Sequence, residues 1–160
     1  MKHLQSFIEP SLCPSNFEKE VMEMWHQEKP YTQNWYKKNV NIELVDNEKK
    51  LDPLYNFFIE KVQSIYNKKV QPIQRYWACI HTKEYTENNW HNHKHSSDVN
   101  GVYYVTKDCE IHFKDKDNNI IPYFPKQYEL IVFSSELDHK PIYNNTNRFS
   151  INIECKFKKD

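Results

Sequence analysis

The second half of the chain consists of short segments in which apolar and polar residues alternate. The clearest segment is Arg148–Phe157, where Phe, Ile and Cys occupy one face and Arg, Ser, Asn, Glu and Lys occupy the other. Alternation with a period of two is typical of a β-strand that buries one face. We expect the apolar face of this strand to pack against helices, while its polar face either meets solvent or lines a pocket.

The same alternation predicts six strands from about residue 73 onward. Turn-forming residues separate them, as in the Asp-Lys-Asp-Asn-Asn run at residues 115–119. Several short strands with turns between them favour an antiparallel sandwich or barrel. The predicted strands are Ile73–His81, Val102–Thr106, Glu110–Phe113, Ile120–Phe124, Glu129–Phe133 and Arg148–Phe157.

Two amphipathic helices are predicted before the strands. The first covers residues 15–28, with Ser15 as its cap and Glu18 closing a capping box. The second begins at Asp52 as the cap, carries a proline in its first turn and ends before Pro72. We therefore expect a mainly β fold with N-terminal helices, formed by a single domain over residues 1–160. In it a helical region, 1–72, supports a β-rich core, 73–160.

Composition argues against several classes of function. Lys and Arg total 22 and Asp and Glu total 22, so the formal net charge is zero. A nucleic-acid binder that neutralises phosphates, or a protein attracted to an anionic membrane, carries a basic excess instead. The chain has a single glycine, Gly101, which excludes glycine-rich phosphate loops. No stretch approaches the roughly 18 apolar residues that span a bilayer.

The cysteines and the N-terminus bear on the cellular compartment. The four cysteines form no Cys-x-x-Cys pair, and we interpret them as small buried hydrophobes or free thiols. They are Cys13, Cys79, Cys109 and Cys155. The first residues show no signal-peptide pattern. A cytoplasmic location is therefore expected.

The most informative segment is rich in histidine. His91, His93 and His95 occupy alternate positions, so in an extended chain their side chains project to the same side. Imidazole is the commonest protein ligand of first-row transition metals, and two at this spacing can hold adjacent coordination positions. A solvent-exposed polar loop is the alternative, because Asn, Lys and Ser surround these histidines. His139, which follows the fifth predicted strand, is a candidate third ligand.

Arginine is rare in this chain. Of the 22 basic residues only Arg75 and Arg148 are arginines, and an arginine in a lysine-rich background favours a position that needs a planar, two-pronged donor. Chance is the alternative at any one position. Arg148 shares the polar face of the last strand with Ser150, so both side chains project in the same direction.

These elements together resemble the 2-oxoglutarate- and iron(II)-dependent oxygenases, in particular the small members common in phage and environmental genomes. The resemblance covers roughly residues 75–157 and depends on the order and spacing of four elements. They are the His-x-His pair, the strand Asn100–Val105, the strand Glu129–Ser135 that leads to His139, and the Arg-x-Ser of Arg148 and Ser150.

The resemblance implies a fold and an activity. The fold would be a double-stranded β-helix, the jelly-roll or cupin-like core, that binds metal. The activity would be that of a dioxygenase with iron(II) as cofactor and 2-oxoglutarate as cosubstrate, which hydroxylates a small molecule or a protein side chain and releases succinate and carbon dioxide. The sequence does not identify that substrate.

The resemblance also implies roles for individual residues. The iron ligands would be His91, His93 and His139, and no catalytic residue is implied beyond them. Arg148 would pair through two prongs with the distal carboxylate of 2-oxoglutarate, and Ser150 and Tyr104 would hydrogen-bond the same carboxylate. For Tyr104, a place as a core aromatic is the alternative.

The sequence departs from the family's pattern at the metal site. With the pair His91/His93, the usual carboxylate ligand is absent. The pair His93/His95 is an alternative register, and Asp98 is an alternative carboxylate ligand. Two other functions also fit parts of the pattern. One is a cupin-like three-histidine dioxygenase that does not use 2-oxoglutarate, and the other is a non-catalytic jelly-roll binding or structural module.

Overall fold

The computed structural model describes residues 4–26, 41–43, 51–72, 75–83 and 89–160. Over these residues the chain forms two helices and nine strands. In chain order they are β1 (Leu4–Ile8), α1 (Phe17–His26), β2 (Asn41–Glu43), α2 (Asp52–Tyr66), β3 (Arg75–His81), β4 (Val99–Tyr104), β5 (Glu110–Lys114), β6 (Ile120–Tyr123), β7 (Glu129–Ser134), β8 (His139–Ile142) and β9 (Arg148–Cys155).

The strands form two antiparallel sheets. The large sheet has the order β1-β7-β4-β9-β3-β2, and the small sheet has the order β6-β5-β8. Neighbouring strands in both sheets run antiparallel. The mainly β, antiparallel architecture expected from the alternation is therefore confirmed.

All six predicted strands are present, with small differences at their ends. β4 begins at Val99, earlier than expected, because its first residues pair with both β7 and β9. Residues 73–74 of the first predicted strand lie outside the described residues. The sequence did not predict β1, β2 or β8. β2 has 3 residues and β8 contains a proline, so tertiary pairing rather than local pattern makes them strands.

Both helices start elsewhere than expected. α1 begins at Phe17, and its neighbour Asn16 accepts the first-turn bond from the backbone N–H of Glu20, in place of a cap at Ser15. α2 begins with Asp52 as its first helical residue, so that Leu51 occupies the cap position and makes no side-chain cap hydrogen bond. Residues 27–28 of the first predicted helix lie outside the described residues. Within the described part, neither helix is long and apolar enough to cross a bilayer.

Two apolar clusters arrange the helices and sheets in layers. The first joins Phe17 of α1 and Phe58 of α2 to one face of the large sheet. The second joins the opposite face of that sheet, through Ile131 and Phe133, to residues of the small sheet such as Phe113. None of the four cysteines forms a disulfide, and Cys79, Cys109 and Cys155 are buried, in agreement with their interpretation as small hydrophobes or thiols.

β9 lies between β4 and β3 near the middle of the large sheet and is buried on both faces. Its apolar residues, from Phe149 to Cys155, belong to the helix-side cluster as predicted. Its other face turns toward the small sheet, where Arg148, Ser150 and Glu154 are buried. Of the two alternatives left for the polar face of this strand, solvent or the interior, the structure shows the interior at these three positions.

Gly101 in β4 faces α2 at very close range. A Cβ atom at this position would lie 2.6 Å from Cε2 and 2.8 Å from Cδ2 of Phe58, a ring that is fully buried. We expect Gly101→Ala to lower the free energy of unfolding by about 1–3 kcal/mol through overpacking, measured by urea denaturation. In a Phe58→Leu background the same substitution should cost clearly less. An equal cost in both backgrounds would show that this contact is not the cause.

Candidate metal centre

Three histidines from two segments converge between the sheets. One side-chain nitrogen from each of His91, His93 and His139 lies within 4.8 Å of the others. The ring centroids are separated by 4.2 Å for His91 and His139 and by 5.2 Å for the two pairs that include His93. Nitrogen ligands this close can bind one transition-metal ion.

Backbone hydrogen bonds hold the histidine-rich segment in place. His91 and His139 exchange two of them, with N···O distances of 3.0 and 2.9 Å, so that His91 extends the small sheet beyond β8. The N–H of His93 donates to the carbonyl of Ser135 at 2.9 Å, and the N–H of Ser135 donates to the carbonyl of Asp98 at 3.0 Å. The segment is therefore tied to the connection between β7 and β8.

The contacts of Nδ1 in each ring show which ring nitrogen is available to a metal. His91 Nδ1 lies 2.9 Å from the carbonyl oxygen of Asn89, and His139 Nδ1 lies 3.0 Å from that of Leu137. A carbonyl can only accept, so in the neutral imidazole of each residue Nδ1 carries the hydrogen and Nε2 keeps the lone pair. His93 Nδ1 lies 3.5 Å from Oε2 of Glu154, which leaves its Nε2 available as well.

His139 is held neutral by its surroundings. The residue is only 4% exposed. Burial, followed by the proximity of His91, lowers the pKa of His139 to about 3. A histidine that is neutral at neutral pH offers its lone pair to a metal without losing a proton first.

The alternative ligands lie outside this group. His95 is exposed and lies within a turn over residues 94–96. Asp98 is also exposed, and its Oδ2 accepts the backbone N–H of Phe157 at 2.8 Å. The structure therefore places the pair His91/His93, and not the pair His93/His95, beside His139. Within the described residues the group contains three imidazoles and no carboxylate.

A second polar cluster lies on the same inner face of the large sheet. Arg148 is 5% exposed, and Ser150 and Tyr104, which are cross-strand partners, are fully buried. The guanidinium carbon of Arg148 lies 5.4 Å from the ring centroid of Tyr104. Burial opposes the charge of Arg148, but Tyr104 and the nearby Cys79 and Cys109 raise its pKa. Burial also raises the pKa of Tyr104, so the phenol stays a donor.

Polar atoms of this cluster have no hydrogen-bond partner in the described part of the chain. They are Nε and Nη1 of Arg148, the hydroxyls of Tyr104 and Ser150, and Nδ1 of His81. A buried polar atom without a partner costs about 1–3 kcal/mol. A cationic fork surrounded by unpaired donors fits a buried anionic ligand such as a carboxylate.

His81 is the member of this cluster that sequence analysis missed. It is the cross-strand partner of Arg148, is fully buried, and its Nε2 lies 3.2 Å from Sγ of Cys79. Burial, followed by the charge of Arg148, lowers the pKa of His81 to about 3. Its place on β3 opposite the polar positions of β9 could have suggested it, but that signal requires the β3–β9 pairing.

Solved structures with the same fold are known, although no protein-family model and no curated protein matches the sequence. AviO1 from Streptomyces viridochromogenes Tue57 is similar with a TM-score of 0.71 and 13% identity, over 96% of this chain and 89% of that one. An oxidoreductase of the 2OG-Fe(II) oxygenase family from Burkholderia pseudomallei gives 0.69 and 10%, over 96% and 84%. A Pseudomonas putida prolyl-4-hydroxylase gives 0.63 and 11%, over 99% and 94%.

The chain has the fold of the 2-oxoglutarate- and iron(II)-dependent oxygenases. The resemblance found in the sequence is therefore confirmed at the level of the fold. Within this fold, the three-histidine group fits iron(II), and the unpaired donors around Arg148 fit a carboxylate.

The buried neutral histidines should make stability depend on pH. Because the folded pKa of His81 lies near 3 and the unfolded value is about 6.5, the unfolded state binds more protons below pH 6.5. The free energy of unfolding should therefore fall as pH drops from 6.5 toward 3, by up to about 1.4 kcal/mol per pH unit for each such histidine. Urea denaturation of metal-free protein between pH 7.5 and 5 measures this slope.

The matched control for this slope is His81→Gln, which keeps a polar side chain and removes the titrating group. As pH drops, the unfolding free energy of this variant should fall less steeply than that of the wild type, by about 1 kcal/mol per pH unit. The remaining slope includes the contribution of His139. A slope identical to that of the wild type would show that His81 is not neutral in the folded protein.

Proposed function

We propose that the protein is an iron(II)- and 2-oxoglutarate-dependent dioxygenase that hydroxylates a substrate of unknown identity. The observation that carries this proposal is the set of buried, unpaired polar atoms around Arg148. These atoms lie on the inner face of the large sheet, the same face that carries Glu154, and Glu154 contacts His93 of the three-histidine group. A metal-binding group and an anion-binding cluster between the same two sheets are what this chemistry needs.

We propose further that the two sheets form a double-stranded β-helix core. Their facing sides share an apolar cluster, in which the Phe113 ring of the small sheet lies 5.2 Å from the Phe133 ring of the large sheet. His139 lies at the start of β8 and contacts both rings, at 6.3 and 5.1 Å. This packing supports a jelly-roll arrangement in which the metal group caps the apolar part of the interior.

In the proposed enzyme, Nε2 of His91, His93 and His139 would hold iron(II). Bound iron with 2-oxoglutarate and dioxygen supplies an oxidation in which the cosubstrate gives succinate and carbon dioxide while a C–H bond of the substrate is hydroxylated. The neutral state of His139 keeps its ligand atom free of a proton. The backbone bonds of His91 and His93 fix the direction of their rings before any ligand binds.

Arg148 would bind the distal carboxylate of 2-oxoglutarate. A guanidinium presents two parallel N–H donors that match a carboxylate, and Tyr104, Ser150 and His81 surround it with further unpaired polar atoms. The nearly complete burial of Arg148 keeps water from competing for these donors. The role of this cluster would be to orient the cosubstrate relative to the histidines.

The three-histidine set without a carboxylate also favours a second candidate, a cupin-like dioxygenase that does not use 2-oxoglutarate. That function leaves the charge of Arg148 and its unpaired neighbours without a ligand. A non-catalytic jelly-roll module would leave the converging histidines without a role. Binding of 2-oxoglutarate therefore distinguishes the leading proposal from both alternatives.

The metal site is tested by anaerobic titration of the protein with iron(II), followed by 2-oxoglutarate. We expect one iron(II) per chain and a weak visible charge-transfer band once 2-oxoglutarate is added. His139→Ala should abolish stoichiometric binding, because it removes one of three ligands from the buried side of the group. Unchanged iron affinity in this variant would overturn the assignment of His139.

The cosubstrate site is tested with Arg148→Ala. Loss of a buried, two-pronged ionic contact costs about 2–5 kcal/mol, so 2-oxoglutarate affinity should fall by roughly thirty-fold to several thousand-fold. Arg148→Lys should recover only part of this loss, because a point charge does not reproduce the fork. Equilibrium binding of 2-oxoglutarate and its turnover to succinate are the measurements.

Iron(II) affinity is the internal control for these variants. Arg148 is not one of the proposed iron ligands, so its substitution should leave iron(II) affinity unchanged. If the wild type with iron(II) neither binds nor consumes 2-oxoglutarate, the proposed function is wrong. If the wild type binds it and Arg148→Ala binds equally well, the carboxylate binds elsewhere in the protein.

A further inference from the structure

We propose that Glu154 is a positioning residue of the metal centre, and that it holds His93 and supplies the negative charge that the three imidazole ligands lack. The inference rests on the proposed metal site and deepens it. It assigns the buried carboxylate of Glu154 a role toward the metal.

The geometry places Glu154 behind His93. Its Oε2 lies 3.5 Å from Nδ1 of His93, which is an electrostatic contact slightly longer than a full hydrogen bond. The Glu154 side chain is 5% exposed and that of His93 is 18% exposed. The contact is therefore shielded from water, so its electrostatic effect is greater than that of a surface pair.

The position of Glu154 differs from that of a ligand. The carboxylate faces Nδ1 of His93, and Nε2, on the far side of the ring, is the nitrogen left for the metal. Glu154 does not belong to the group of converging ligand atoms. It therefore corresponds to the carboxylate–histidine–metal arrangement, in which the carboxylate fixes the tautomer and orientation of the ring and makes the ring a stronger donor.

In the other two histidines, the contact partner of Nδ1 is an uncharged group. His91 and His139 direct Nδ1 at the neutral carbonyls of Asn89 and Leu137. Three neutral ligands would leave the whole charge of a divalent ion uncompensated by the ligands themselves. The carboxylate of Glu154 would balance part of that charge through the ring of His93.

The surroundings of Glu154 hold it in this position. Its Oε2 also accepts the hydroxyl of Ser96 at 3.1 Å, and that hydroxyl lies 3.2 Å from the carbonyl of His93. In the sheet, Glu154 is the register partner of Asn100 on β4 and of Arg75 on β3. The carboxylate is thus fixed by the central strand on one side and by the histidine segment on the other.

The test is metal affinity, which does not depend on turnover. Zinc(II) is titrated into the metal-free protein against a chromophoric chelator, for the wild type and for Glu154→Gln. Loss of an outer carboxylate typically lowers metal affinity by about 10–100-fold, and we expect a loss in this range. Glu154→Gln keeps the size and polarity of the side chain while it removes the charge.

A matched control is Glu129→Gln. Glu129 begins β7, away from the histidine group, and is also buried, at 4% exposure. Its carboxylate accepts a hydrogen bond from the hydroxyl of Tyr123 at 2.6 Å. Its substitution removes one buried carboxylate from the same sheet and should leave zinc(II) affinity unchanged. An equal loss in both variants would show a general effect on the fold and would overturn the proposal.

A second variant, Ser96→Ala, avoids a change in the interior. Ser96 is exposed, so the fold should be retained, but its loss frees the carboxylate of one partner. We expect a smaller loss of zinc(II) affinity, roughly two- to fivefold. This variant decides the question if Glu154→Gln does not fold, and unchanged affinity would then contradict the proposal.

Double substitutions show whether the effect passes through His93. His91→Ala and His93→Ala each remove one of three ligands and, like His139→Ala, should abolish stoichiometric binding, so the weak zinc(II) affinity of the two remaining histidines is measured at high zinc(II) concentration. In the His91→Ala background, where His93 remains, Glu154→Gln should lower this residual affinity further. In a His93→Ala background it should have no further effect, since the ring that transmits it is gone. Equal losses in both backgrounds would mean that Glu154 acts on the fold and not on His93.

The outcome also separates this inference from the proposed function. If the wild type binds no zinc(II), the metal site itself is wrong and the role of Glu154 fails with it. If the wild type binds zinc(II), His139→Ala loses stoichiometric binding and Glu154→Gln binds like the wild type, the metal site stands and only the role of Glu154 is overturned.

Discussion

The pairing of β9 with β3 on one side and β4 on the other is the constraint on which the interior depends. This pairing sets His81 opposite Arg148 and Tyr104 opposite Ser150. Because side chains alternate across a strand, one register places all four on the face toward the small sheet. A shift by one residue would turn this polar set toward the helices and the apolar residues of β9 into the candidate site.

A second constraint fixes the histidines relative to that sheet. The segment from Asn89 to Asp98 has little regular structure, and its backbone groups pair with the connection between β7 and β8. His91 and His139 hold each other through two backbone bonds, and His93 is held at Ser135. The three-histidine group therefore depends on the meeting of the two sheets, and local structure alone would not form it.

Charge is distributed unevenly across the interior. The candidate cosubstrate cluster carries the positive charge of Arg148 among neutral, unpaired groups, and burial keeps His81 and His139 neutral. The carboxylate of Glu154 lies behind His93. In the proposed enzyme, this interior would receive an anion on one side and a cation on the other, an arrangement that is costly for the empty protein and favourable when both ligands are bound.

The sequence by itself determined the alternating strands, the helix positions to within a few residues, and the candidate pairing of His91 and His93 with a distant histidine, because each is written in local spacing. It left open whether His91/His93 or His93/His95 would lie beside His139, and whether the polar face of β9 would meet solvent or be buried. It also missed β1, β2, β8, His81 and Glu154. Those were decided by strand pairing between residues far apart in the chain, because a side chain's partners in a sheet are set by register with other strands and not by its own neighbours.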